Sequence, residues 1–358
     1  MVRKDITSVL GSIGIMLCVL TFSIITLLIL QSPGPLPEEQ ENQTQVQQEK
    51  NITEKEQVAE VELSKQKLLY ILHNAPNLLS IVDLEKNDTI KEISLSNGPH
   101  EMFYDQKTNE IYITNKAAGT ISVVSRGKNE IVRTMKGGNS PEGIVVTEKK
   151  IYVTNPGDQV VLVIHKELGS IDKEIQVGVD PSHMLLSQDQ RKIYVLNRGS
   201  DDITIINTNI DAFIDVWFAG DNPERLAMSP HERYIYVSSL NGLLTILPLK
   251  QPKEYREIRV GLGASEMAFT PNNVLAIAVN SDENAIALTS LTREMLLSTV
   301  DVGVDPSDVV ITSDGKTAYV SNAGSNSISI IDLQQKVRVA EFPVDRDPQR
   351  LLHIEGSK

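Results

Sequence analysis

Two adjacent positions, repeated along the chain, hold most of its capacity for chemistry. They follow a recurring proline and read His100-Glu101, Glu142-Gly143, Ser182-His183, Glu224-Arg225, Ser265-Glu266, Ser307-Asp308 and Gln349-Arg350. Glu101, Glu142, Glu224, Glu266 and Asp308 stand there against Arg225 and Arg350, with His100 and His183 among them. Carboxylates together with imidazoles could hold a divalent cation or a cationic ligand. The plainer alternative is a solvated polar rim whose charges pair with one another. The prolines themselves, Pro99, Pro141, Pro181, Pro223, Pro306 and Pro348 with Ala264 in the fifth place, recur every 40 to 42 residues. What recurs serves the scaffold, so binding residues are sought where the repeats differ.

Little else in the chain is equipped for chemistry. His73, His165, His231 and His353 fall at scattered repeat positions and share no metal-ligand spacing. The single Cys18 lies in an apolar N-terminal run and can brace no later segment. There is no Gly-x-Ser-x-Gly elbow, phosphate loop or haem-attachment motif. No catalytic residue is predicted, and Trp217 and Phe218 read as packing between sheets.

A second marker, the Asn at 74, 115, 155, 197, 280 and 322 with Ser239 in the fifth place, keeps the same period as the proline. Each period contains four short apolar runs between turn formers, named A to D from the proline. Run A is apolar on both faces, as in Ile144-Val-Val. Run B is the Tyr-Val segment before the Asn. Run C alternates, as in Ile121/Val123 and Ile328/Ile330, usually around Ser or Thr, and run D is the least regular. Four strands per period of about 40 residues is the pattern of a β-propeller blade.

Counting sets the closure. Seven B–C–D sets begin near Leu69, but the first has no A run before it, while Pro348 opens an A run with no B after it. The C-terminal strand is therefore predicted to complete the first blade of an all-β, seven-bladed propeller over residues 68–358. Repeat five, with Ser238-Ser239 and Ala264, and repeat six, with Ile277 in place of Tyr, are expected to be the least regular blades.

The segments IYVTN, IYITN, IYVLN and AYVSN, the Ser313-Asp-Gly-Lys turn and VGVDP resemble the YVTN-type repeats of β-propeller proteins. The resemblance covers about four-fifths of the chain. It implies the propeller fold and a place among microbial cell-surface proteins, in a wider superfamily of quinoprotein dehydrogenases, lactonase-like enzymes and nitrite-reductase-type haem propellers.

Ahead of the repeats, Val9 to Leu30 is 22 residues of mostly Leu, Ile, Val, Met and Phe, with no charge between Ile6 and Pro37. About 33 Å of helix would cross a bilayer core of about 30 Å. The run is too long for a signal-peptide h-region and leads into Gln31-Ser-Pro-Gly-Pro, so an uncleaved signal anchor at 9–30 is expected. Arg3 and Lys4 keep the 1–8 stub cytoplasmic and place the propeller outside the membrane, as a single-pass cell-surface protein. Residues 31–67, without an aromatic and rich in Gln, Glu, Asn and Lys, read as a polar stalk. Asn42, Asn51 and Asn87 open N-glycosylation triplets.

The whole chain carries 34 Lys and Arg against 47 Asp and Glu, a net charge of -13. Acidic balance excludes a phosphate-tracking surface, so no nucleic-acid partner is expected. The expected function is non-catalytic binding or scaffolding for protein or glycan, through the mouth carrying the A-strand starts and B–C loops, with no cofactor. The alternative is a propeller enzyme working in the same mouth, either a metal-dependent lactonase-like hydrolase or a cofactor-binding redox protein.

Overall fold

The computed structural model of the protein describes residues 66–356. Within them, twenty-eight strands run from β1 (Leu68–His73) to β28 (Pro348–Ile354) and form seven separate four-stranded antiparallel sheets. This is a seven-bladed β-propeller. Blade one is completed by the C-terminal strand: β28 pairs with β1, which continues to β2 (Leu78–Asp83) and β3 (Asp88–Ser94). Leu68 lies opposite Ile354, and Leu72 opposite Arg350, so the ends of the ring are tied by a full strand ladder.

The core sits between blades rather than within one layer. One apolar cluster joins Val145, Tyr152, Val161 and Val163 of blade three to Met184, Ile193 and Val195 of blade four. The closing seam is built alike, from Leu69, Ile71, Val82 and Leu351 of blade one against Tyr319, Ile328 and Phe342 of blade seven. The middle strands are the buried ones. β1 and β2 are buried throughout, whereas an inner strand such as β4 (Pro99–Asp105) is only half-buried after its proline. The A strands are the innermost of each blade and line the central channel, which leaves most of them less enclosed than the middle strands.

The recurring Asn and Thr have separate structural tasks. Asn155 donates to the Gly137 carbonyl at 3.0 Å and Asn280 to the Val260 carbonyl at 2.9 Å, each clipping the crossover from the preceding blade. The glycine of the crossover leaves room for that amide: a Cβ on Gly138 (φ +105°) would lie 2.1 Å from Asn155 Oδ1. Asn115, Asn197 and Asn322 also reach the strand-C hydroxyls of Ser122, Thr204 and Ser329 at 2.8 to 3.0 Å. That accounts for the Ser or Thr within the alternating run. One place earlier, Thr114 and Thr154 donate to the Glu142 and Ser182 carbonyls of the next blade at 2.6 and 2.8 Å.

Blade one departs from the expected marker. His73, not Asn74, occupies the strand-end position, since it lies opposite Leu78 as Asn115 lies opposite Thr120. Its Nδ1 meets the Arg346 carbonyl at 2.8 Å, the same clip made by a different side chain. Blade six is regular, contrary to expectation. Blade five has a four-residue outer strand, β19 (Arg256–Arg259), and blade three a three-residue inner strand, β8 (Ile144–Val146).

Among the described residues no helix is long and apolar enough to cross a membrane. The anchor proposed at 9–30, the 1–8 stub, most of the stalk, Asn42 and Asn51 lie outside them. Asn87 sits in the exposed turn between β2 and β3 at φ 53°.

Candidate functional site: the channel mouth

Six of the seven A strands begin with an irregularity. The ladder register shifts between Pro99 and Glu101, and likewise at the starts of β16 (Pro223–Met228), β20 (Ala264–Phe269) and β24 (Pro306–Ile311). A bulge re-aims side chains, and here it brings the residues after the proline into the channel. The variable pair is thereby set at the mouth on those six strands, and in blade three it directly precedes the inner strand.

Four of the nine candidate residues form one network across the ring. Arg225 of blade five reaches Glu101 of blade two at 3.1 Å and Glu266 of blade six at 3.3 Å. Arg350 of blade one approaches the same two carboxylates at 3.5 and 3.9 Å. Arg225 is 5% exposed, so these pairs span a largely dehydrated channel. Asp308 joins the network through its field and is anchored by backbone, accepting from Val309 N at 2.6 Å and Leu351 N at 2.7 Å.

The electrostatics follow from burial. Desolvation pushes Glu266 up to about 7, with the Glu101 and Glu224 charges adding to it against the pull of Arg225. It raises Asp308 well above the ordinary carboxylate range, helped by Glu266 and resisted by the two backbone donors. Against burial, Glu101 and Glu266 hold Arg225 above its usual value. His100 and His183 are both pushed down to about 4, first by burial and then by the Arg225 charge, and so are neutral at pH 7. Leu226 N donates to His183 Nδ1 at 3.3 Å, which puts the ring proton on Nε2.

Glu142 and Glu224 belong to a second group. Glu142 is 1% exposed and is held by Lys116 and by Arg198, 3.3 Å away. Arg198 also contacts Asp180 at 3.1 Å and Glu224 at 3.6 Å. Lys116 and Arg198 were not among the expected site residues. Each is the residue after the strand-B Asn, a position that also varies between repeats, and B–C loops share the mouth because Asn115 lies opposite Pro99.

Glu101 and Glu266 both turn Oε2 toward the two guanidiniums, where a cation would compete with fixed positive charge. Among the described residues no three His, Cys, Asp or Glu side chains converge as metal ligands. Beside the network a cavity is lined by Phe103, Val145, Met184 and Leu186, with Glu101 and His183 and also Ser187, Gln188 and Gln190 as its polar groups. Trp217 packs on Tyr194 with ring centroids 5.6 Å apart, and Phe218 meets Tyr255 of the next blade at 5.4 Å.

No family model matches the sequence, and no curated protein matches it. Solved structures match its fold. Hydrazine synthase from Kuenenia stuttgartiensis is 18% identical at a TM-score of 0.66, over 74% of this chain and 92% of that one. A functionally unknown protein from Desulfotomaculum acetoxidans is 9% identical at a TM-score of 0.69, covering 81% and 99%. The dihydro-heme d1 dehydrogenase NirN in complex with DHE is 14% identical at a TM-score of 0.64, covering 80% and 68%. At such identities the likeness is one of fold, shared by proteins of different activity.

Proposed function

We propose that the propeller is a non-catalytic binding or scaffolding domain for protein or glycan, displayed outside a membrane on an N-terminal anchor at Val9–Leu30. The observation that carries the reading is the mutual commitment of the mouth charges. Arg225 pairs with Glu101 and Glu266, Arg350 stands near the same two carboxylates, and Arg198 is fixed between Glu142, Asp180 and Glu224. A general acid, base or nucleophile must instead be free to exchange protons or bonds with substrate. Charges locked in this way make a stiff rim, and loops on a rigid frame are suited to recognition. Exchanging residues 198–201 for the shorter-chained loop at 116–119 should abolish cross-linking of the full chain to surface partners on its host cells. Unchanged adducts would contradict recognition through the mouth.

A further inference from the structure

The seven blades also differ at the outer edge of the ring. The turn joining the third and fourth strands holds four or five residues in six blades, as between β2 and β3. In blade five it holds seven, from Leu249 to Tyr255, between β18 (Leu243–Pro248) and β19. The insertion is braced by Gln251 N donating to the Pro248 carbonyl at 3.1 Å and Glu254 N to the Gln251 carbonyl at 2.9 Å. It faces β15 (Ala212–Phe218), the outer strand of blade four, across a groove of about 570 Å³.

The outer strand is as unusual as the loop. Edge strands are normally protected by charge, and β3 and β7 (Glu130–Lys136) carry Lys, Arg and Glu. β15 has one charged residue, Asp215, among Phe213, Ile214, Val216, Trp217 and Phe218. Phe213, Phe218 and Tyr255 are the exposed large aromatics among the described residues, and Phe218 and Tyr255 line the groove together. Trp217, the one tryptophan in 358 residues, lines the same groove. Its indole N–H donates to Asp215 Oδ2 at 2.8 Å, which fixes the ring.

We infer that this groove between blades four and five is a binding site for a neutral glycan. The apolar C–H faces of a sugar ring stack on flat aromatic surface, which Trp217, Phe218 and Tyr255 supply. A sugar hydroxyl both donates and accepts, and Asp215, Gln251, Lys253 and Glu254 present acceptors and donors of both kinds around the aromatic floor. The mixed charges of these four select against a strongly charged ligand. The groove is concave, largely apolar and crossed by few polar groups, the usual form of a ligand site.

The inference rests on the binding-domain reading, and supplies it with a ligand class and a second location. Trp217 makes the test direct, because all tryptophan emission comes from this groove. The full chain is titrated with hexasaccharides of β-1,4-glucose, α-1,4-glucose and β-1,4-N-acetylglucosamine, followed by a broad glycan array. A saturable change in Trp217 emission with at least one glycan is expected, weakened about tenfold or more in Tyr255→Ala and Gln251→Ala, with unchanged melting temperature. Trp217→Phe, read by calorimetry, should retain weakened binding. No saturable response to any glycan, equal affinity in the Tyr255 and Gln251 variants, or a response confined to extended peptides would overturn it. The loop exchange at 198–201 should leave this titration untouched, so failure of the groove and failure of mouth recognition are read separately.

Discussion

Arg225 is the residue on which the channel mouth turns. Buried at 5% exposure, it answers Glu101 from three blades away across the ring and Glu266 on the adjacent blade. Arg225→Met should therefore cost about 3–5 kcal/mol, since it leaves carboxylates buried without their partner. Adding Glu101→Gln should recover part of that loss, and denaturant melts of the two variants check both outcomes. The histidines make a separate prediction. His183 is held down to about 4 from 6.5, so the folded protein binds fewer protons than the unfolded chain between those values. Its contribution is present above about 6.5 and is lost as pH falls through about 4. In His183→Asn, which keeps an acceptor for Leu226 N–H, the melting temperature relative to wild type should rise as pH is lowered from 7 to 4. Glu266 works in the opposite direction. Its folded value near 7 exceeds the ordinary 4.5, so its contribution is present below 4.5 and fades as pH rises through about 7. A Glu266→Gln variant should gain on wild type over that interval; parallel pH profiles would contradict the assigned burial.

At the scale of the elements, stability is concentrated in the joints between blades. Thr154 donates to the Ser182 carbonyl at 2.8 Å while accepting from Gly143 N at 2.7 Å, which ties blade three to blade four. Thr154→Val should cost about 1–3 kcal/mol, because both backbone groups lose a buried partner. Closure is worth more. A chain ending at Phe342 lacks β28, and with it the ladder to β1 and the buried Leu351 and Ile354. Hydrogen bonds at about 0.5–1.5 kcal/mol each and side chains at about 1.5–3 kcal/mol each make that loss about 5 kcal/mol or more. The opened ring also exposes two sheet edges and should aggregate on gel filtration. A truncated chain that melts with wild type would contradict the closing seam.

For the whole molecule, the ring and its closure were legible because they follow from period and count: seven B runs, seven A runs, and one of each at the chain ends. The mouth was legible as a set of positions, since a proline, or Ala264 in one repeat, marks the start of each inner strand. Its wiring was not, because Glu101 and Arg225 lie three blades apart and no local spacing states which inner strands face each other. His73 was hidden by Asn74, a residue of the expected type one place beyond the true strand end. The blade-five insertion stands in the sequence as Leu249–Tyr255, but it becomes a groove wall only once β15 is set opposite it. The central claim is that the charges of the mouth are committed to one another, and that the domain binds without catalysis. Elemental analysis and the visible absorption spectrum of the purified full chain test it most directly. The account predicts less than stoichiometric metal after gel filtration and no visible band; one tightly held metal ion per chain, or a bound chromophore, would contradict it.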